Sequence, residues 1–232
     1  MIPIALVGYG KMGRLIHQLA PGAGCEVKLT LDAGDDLARQ DFSGIAAAIE
    51  FTEPSAAPAN LLALAAARVP TVCGTTGWLH RLEEVAAAYK QNEGALVYGA
   101  NFSIGVQLFA RLCAEAAALF AAHPDYEAWA WEMHHSAKKD APSGTLLMLV
   151  ERMRAAGYAA RVDTASSRAG RVPGIHEIGF DSAADTITLR HSARSREGFA
   201  RGALFAARWI QGRRGVYDFS QALFSAPEGD SR

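Results

Sequence analysis

Two histidines and two lysines crowd into one short stretch, Glu132-Met133-His134-His135-Ser136-Ala137-Lys138-Lys139-Asp140-Ala141-Pro142-Ser143-Gly144-Thr145. Histidine can deliver a proton near neutral pH. Lysine brings a positive charge that can hold a carboxylate or stabilise developing negative charge. A helix is predicted over 143–155, with Ser143 as its N-cap. The free N–H groups at its start form an anion site, and Gly144 lets a ligand come close. The stretch therefore suits a small anionic substrate that needs a proton. Hydride from a cofactor and a proton from this loop would together reduce a polarised double bond. A solvated polar loop is the plain alternative. Adjacent histidines could also bind a metal, but they lack i, i+4 spacing and no nearby Cys or carboxylate set completes a site, so no metal is expected.

A source of hydride is legible near the N-terminus. Gly8-Tyr9-Gly10-Lys11-Met12-Gly13 fits G-x-G-x-x-G between a predicted strand and a predicted helix. Gly8 allows the tight turn, Gly10 lets the backbone approach a pyrophosphate, and Gly13 lets the helix pack closely on the sheet. The alternative is a tight turn that happens to contain glycines. Asp32 ends the second predicted strand, where a carboxylate can accept hydrogen bonds from ribose hydroxyls and repel a 2′-phosphate. Ala33-Gly34-Asp35-Asp36 supply no cation to offset it, so NADH is favoured over NADPH. Lys11 could still reach a phosphate, and Asp32 could instead be a solvated turn residue.

The elements that must position these residues follow from periodicity. Strands are predicted at 2–7, 26–31, 47–51, 70–73 and 95–98, with helices at 12–20, 54–68 and 79–91 between them. Such alternation means parallel strands with crossover helices. The polar stretch 32–43 carries no clear element. After Asn101 the pattern changes to a long helix at 105–121, a strand at 126–133, the helix at 143–155, strands near 176–180 and 185–191, and a helix at 199–211. Trp129 and Trp131 share a face of their strand by period-two alternation. Two indoles on one face need covering, by a helix or by another subunit.

Composition narrows the class. Of 232 residues, 50% are hydrophobic and 20% charged, the profile of a soluble globular protein with a real core. The formal net charge of -1, without a basic run, gives no reason to expect nucleic acid. No apolar run approaches the roughly 20 residues that span a bilayer, and no basic region precedes an apolar stretch at the start, so neither a membrane nor a signal peptide is expected. Cys25, Cys73 and Cys113 are odd in number and widely spaced, which favours a reduced, cytoplasmic protein.

The run from Glu132 to Thr145 resembles the hallmark E-x-H-H-x-x-K-x-D-A-P-S-G-T of the 4-hydroxy-tetrahydrodipicolinate reductase (dihydrodipicolinate reductase) family at each specified position. The glycine loop, Phe51-Thr52, Gly74-Thr75-Thr76-Gly77, Asn101-Phe102-Ser103, Arg168-Ala169-Gly170 and Val172-Pro173-Gly174 resemble further family stretches in the expected order. The resemblance implies an α/β protein, with a Rossmann-like domain over 1–101 and an α+β substrate and tetramerisation domain with an open mixed sheet over 102–206. The last segment, from about 207, would return to the first domain. It implies NAD(P)H-dependent reduction of a cyclic dicarboxylate to tetrahydrodipicolinate in lysine and diaminopimelate synthesis, by a homotetramer. His134 would be the general acid. Lys138 would assist and bind a substrate carboxylate. His135, Ser143, Gly144 and Thr145 would hold the dicarboxylate. Gly74, Thr75 and Thr76, with Ala100, Asn101 and Phe102, would surround the nicotinamide. Two features depart from familiar members. The stretch 32–43 is short, which removes a helix or edge strand and exposes one side of the adenosine pocket, and Glu50 stands where Asp is common. Two rivals remain at this point: a dehydrogenase acting on another small anion, which in the semialdehyde type needs a nucleophilic Cys, and a nucleotide sensor that performs no chemistry.

Overall fold

The computed structural model describes residues 1–225. In chain order the elements are β1 (Ile2–Val7), α1 (Lys11–Leu19), β2 (Cys25–Leu31), β3 (Ala47–Glu50), α2 (Ala57–Ala66), β4 (Thr71–Cys73), α3 (Leu82–Gln91) and β5 (Ala95–Tyr98). Then come α4 (Ile104–Phe120), β6 (Glu127–His134), α5 (Gly144–Ala155), β7 (Val162–Arg168), β8 (Ile175–Asp181) and β9 (Thr186–Ser192). The chain closes with α6 (Glu197–Trp209), β10 (Gly215–Asp218) and α7 (Phe219–Phe224). Two units result: Met1–Ile104 with the segment from Glu197 onward, and Gly105–Arg196.

The first unit is built on a six-stranded sheet of order β10-β5-β4-β3-β1-β2, parallel throughout. Its central strands are mostly apolar because both faces are covered, with Glu50 and Thr71 as buried exceptions. The last four residues of β1 and all of β3 and β4 are buried. On one face α6 packs a stripe of small residues, Ala200, Ala203, Ala206 and Ala207, into a cluster with Ile4, Leu6, Ile49, Val72 and Val97. The approach is close enough that a Cβ at Gly202 would lie 1.7 Å from the Phe102 carbonyl oxygen. This packing corrects the expected boundary. The return was placed at about 207, whereas α6 belongs to the first unit from Glu197 because its buried stripe faces that unit's sheet.

Two helix starts also shift. Residues 54–56 form a turn, with the N–H groups of Ala56 and Ala57 on Glu53 O, and α2 begins only at Ala57. Leu79–Arg81 is a single 3-10 turn ahead of α3. The short stretch after β2 holds one 3-10 turn, Leu37–Arg39, and no strand, which leaves β2 at the sheet edge. Leu37, Phe42 and Ile45 from that stretch still cover Ala5, Val7 and Ala48.

The second unit is a four-stranded mixed sheet of order β7-β6-β8-β9, with β6 parallel to β7 and antiparallel to β8. Ala128, Ala130, Glu132 and His134 are the buried residues of β6. Ala128 and Ala130 join a core with Phe109, Ala110 and Cys113 of α4 and Leu146, Leu149 and Met153 of α5. Trp129, Trp131 and Met133 alternate with them and are half-buried. The strand β7 was not expected. Its sequence, Val-Asp-Thr-Ala-Ser-Ser-Arg, has almost no apolar period because most of it is exposed at the sheet edge.

Candidate active site

The glycine loop is shaped by steric exclusion. Gly8 has φ +94, and a Cβ there would sit 2.1 Å from Phe51 O. A Cβ at Gly13 would sit 2.1 Å from Gly8 O, so only glycine lets α1 start this close to the turn. Gly10 differs, because nothing lies within 4 Å of its Cβ position. It precedes α1 with no side-chain cap, so the first-turn N–H groups are left for a ligand. Beside it lies a cleft of roughly 430 Å³ lined by Gly8, Gly10, Asp32, Phe51, Thr52 and Asn60 among others. These features fit the pyrophosphate and ribose of a dinucleotide.

Asp32 lies at the exposed end of β2 and accepts the Ala33 N–H at 3.0 Å. Lys11 is exposed at the head of α1, and Met12 packs partly into the core. A further cation close in sequence to this end of the cleft, Arg39, stands in the 3-10 turn with Nε 3.2 Å from Asp36 Oδ2, both groups exposed. Of the remaining expected residues, Gly74 and Thr75 pack behind Phe51 and Thr52. A Cβ at Gly74 would lie 2.0 Å from the Phe51 ring, and Thr75 Oγ1 accepts the Thr52 N–H at 2.8 Å. Thr76 and Ala100 are exposed, and Asn101 accepts the Ser103 N–H. The Phe102 side chain departs from expectation. It is 2% exposed and packs at a tilt against Phe219, so it fills the core, and only its backbone remains to meet a ligand.

In the second unit the chemistry gathers around Glu132. This side chain is fully buried. Its Oε1 accepts from Ser143 N at 2.8 Å, Ser166 Oγ at 2.9 Å and Arg168 Nη2 at 2.8 Å. Its Oε2 accepts from Ser143 Oγ and lies 3.3 Å from His134 Nδ1 and 3.5 Å from His176 Nε2. Burial alone would raise the Glu132 pKa, but the donors from Ser143, Arg168 and Ser166 outweigh it and bring it down to about 2. The His134 pKa is lowered by burial first, a drop that Glu132 opposes and Lys138 and Arg168 reinforce. His176 is held neutral, pushed to about 4 by burial and by its neighbour His134.

Glu132, His134 and His176 have ligand-type atoms within 4.8 Å of one another. Arg168 and three further donors already occupy the carboxylate, so the cluster reads as a paired carboxylate with two imidazoles beside it, not a metal cage. This partnership is not legible in the sequence. Glu132 and Arg168 were visible only as motif letters, and His176 only as part of a strand.

The loop after β6 is pinned at both ends. Ala169 N donates to His134 O, Ser136 N to Gly170 O, and Arg168 Nη2 to the Asp140 carbonyl. Lys138 Nζ meets both Asp140 carboxylate oxygens at 2.8 Å. Gly144 is exposed at the start of α5, with His135 and Thr145 half-buried nearby in sequence. Ser143 corrects the expectation that it binds substrate. It is 2% exposed, and both its N–H and its hydroxyl donate to Glu132 while Oγ caps Leu146 N, so no donor is left for a ligand.

The model of dihydrodipicolinate reductase, N-terminus, matches residues 2–102, and that of dihydrodipicolinate reductase, C-terminus, matches residues 105–223. The chain belongs to the dihydrodipicolinate reductase family. A 4-hydroxy-tetrahydrodipicolinate reductase of Christiangramia forsetii is 33% identical over 95% of this chain and 97% of its own length. One of Bdellovibrio bacteriovorus is 30% identical over 96% of each. Among solved structures, a dipicolinate-bound dihydrodipicolinate reductase from Paenisporosarcina sp. TG-14 shares the fold with TM-score 0.77 at 22% identity, covering 94% of this chain and 97% of that one. A probable dehydrogenase from Thermotoga maritima is less alike, with TM-score 0.61 at 10% identity over 95% and 93%. As a dihydrodipicolinate reductase family member, the chain is an NAD(P)H-dependent oxidoreductase that reduces 4-hydroxy-tetrahydrodipicolinate in lysine biosynthesis. The semialdehyde-dehydrogenase alternative needs a reactive thiol, and Cys25, Cys73 and Cys113 are all fully buried. No described helix is long and apolar enough to cross a membrane.

Proposed function

We propose that the first unit binds the nucleotide and the second binds the dicarboxylate and delivers the proton, with NADH as the favoured cofactor. The nicotinamide supplies hydride when bound. Gly8, Gly10, Lys11, Met12 and Gly13 hold the pyrophosphate through backbone N–H groups at the start of α1. Asp32 takes the ribose hydroxyls. Phe51 and Thr52, backed by Gly74, Thr75 and Thr76, and the backbone of Ala100, Asn101 and Phe102 border the nicotinamide.

His134 protonates the atom that receives the electron pair as hydride reaches the other end of the substrate's polarised bond. Lys138 holds one carboxylate and offsets negative charge as the bond is reduced. His135, Gly144 and Thr145 hold the dicarboxylate at the head of α5. The dipicolinate found in the Paenisporosarcina relative supports a dicarboxylate of this kind. The observation that carries the reading is His134 seated on the buried Glu132 carboxylate beside a loop that bears Lys138. The half-buried Trp129 and Trp131 support a homotetramer formed through this sheet, in the cytoplasm, with no nucleic acid or membrane partner.

Steady-state kinetics paired with NADH titration tests these roles. His134→Gln lowers kcat by about 10²–10⁴-fold, the usual worth of general acid catalysis, and leaves NADH binding intact. Lys138→Ala raises KM and lowers kcat together. Gly10→Val weakens NADH without unfolding the chain, because its side chain enters open space. A His134→Gln enzyme with near-full kcat moves the acid to Lys138, His135 or water.

A further inference from the structure

We propose that Glu132 is the positioning residue for His134, its carboxylate holding the Nδ1 edge of the ring so that Nε2 is the atom turned to the substrate. The inference rests on His134 being the proton donor.

A fully buried carboxylate is costly unless it is well paired. Here the pairing is unequal between the two oxygens. Ser143 N, Ser166 Oγ and Arg168 Nη2 all go to Oε1 and hold the charge in place. Oε2 takes Ser143 Oγ and then faces imidazole nitrogens, His134 Nδ1 at 3.3 Å and His176 Nε2 at 3.5 Å. His134 Nδ1 is buried, and no finished hydrogen bond reaches it from any other described residue. The 3.3 Å contact is longer than a completed bond, as such pairs often are before a ligand closes the site. The far edge of the ring faces Gly174, where a Cβ would stand 3.1 Å from Nε2, a tight contact.

The geometry therefore separates the two nitrogens. Nδ1 is turned to a permanent anion, and Nε2 to the opposite side, beside Gly174. A carboxylate on Nδ1 sets which nitrogen carries the resting proton, and it stabilises the imidazolium that gives a proton from Nε2. The other charged and titratable groups facing His134 are Lys138 and Asp140 from the following loop, Arg168 from the end of β7, and His176 from β8, its ring 5.1 Å away. Lys138 and Arg168 disfavour the imidazolium, so Glu132 supplies the nearest compensation.

The competing role for Glu132 is structural, tying the Arg168 end of β7 to the Ser143 turn. A double-mutant cycle separates the two. Glu132→Gln in the wild-type background lowers kcat by roughly 10- to 10³-fold, and in the His134→Gln background it changes kcat by less than about threefold. An equal loss in both backgrounds overturns the proposal. ¹⁵N NMR of histidine-labelled wild-type enzyme near pH 7 decides the matter even if Glu132→Gln fails to fold. The His134 proton is expected on Nδ1, and a resting Nε2–H tautomer overturns the proposal. Should His134→Gln keep full kcat while the Nδ1–H tautomer is present, the acid assignment fails and not the positioning.

Discussion

Ser143 directs both of its donors, the backbone N–H and the hydroxyl, at the Glu132 carboxylate, which lies eleven positions earlier in the chain. The same Oγ accepts the Leu146 N–H and caps α5. One residue thus joins the end of β6 to the head of α5. Ser143→Ala removes a cap and one partner of a buried charge. The expected cost is about 1–3 kcal/mol of stability. Thermal melts should show this loss, while the affinity for dipicolinate falls less than in Thr145→Ala. The opposite ranking would return Ser143 to the ligand-binding set.

Proton uptake should accompany dicarboxylate binding. Burial lowers the His134 pKa from its usual 6.5, so the free enzyme holds the ring mostly neutral at pH 7. Two ligand carboxylates beside it favour the imidazolium and raise that pKa. The complex then binds more protons than the free enzyme, so affinity weakens as pH rises through the pKa of the complex. Calorimetry with dipicolinate in buffers of different ionisation heat should report uptake near pH 7. His134→Gln should abolish it, and uptake that persists in that variant points to another group.

Asp140 should compete with the substrate for Lys138. Its carboxylate meets Nζ with both oxygens and has its own pKa lowered by that contact first, with the Gly144 N–H contributing. Asp140 is exposed, and exposed pairs are worth roughly 0–1 kcal/mol, so a dicarboxylate displaces it readily. Asp140→Asn should therefore tighten dipicolinate binding by up to about fivefold. Weaker binding in the variant would mean that Asp140 orients Lys138 for the ligand.

Cofactor choice should follow Asp32. Its carboxylate stands at the lip of the cleft, and the nearby Arg39 is paired with Asp36. Comparison of kcat/KM should find NADH at least as good as NADPH. Asp32→Ser should shift the ratio toward NADPH by removing the repulsion of a 2′-phosphate. A strong NADPH preference in the wild type would show Lys11 or Arg39 outweighing Asp32.

Assembly should depend on the outer face of the second sheet. Trp129 lies over Gly179, where a Cβ would come within 2.1 Å of the indole, and Trp131 donates to Ser167 Oγ at 3.2 Å. Light scattering should return a tetramer mass at micromolar concentration. Trp129→Glu with Trp131→Glu should reduce the mass, and a wild-type monomer would remove the case for this interface.

Local chemistry carried most of the fold into the sequence. Buried parallel strands are rich in apolar residues, an edge strand alternates, and a phosphate-binding turn needs glycines at set positions, so β1 to β5 and the loop from Gly8 to Gly13 were legible. The cap at Ser143 was equally plain, because capping is a short-range hydrogen bond. Three features were invisible for physical reasons. The edge strand β7 has too little burial to impose a period, and α6 shows its allegiance only through the sheet its alanine stripe meets. The partnership of Glu132 with Arg168 and His176 joins positions 36 and 44 residues apart through the register of β6 with β7 and β8. Residue types and spacing named His134 and Lys138 as candidates. The folded structure decided what stands beside them: an ionised glutamate at the Nδ1 edge of one, and an aspartate already seated on the ammonium of the other.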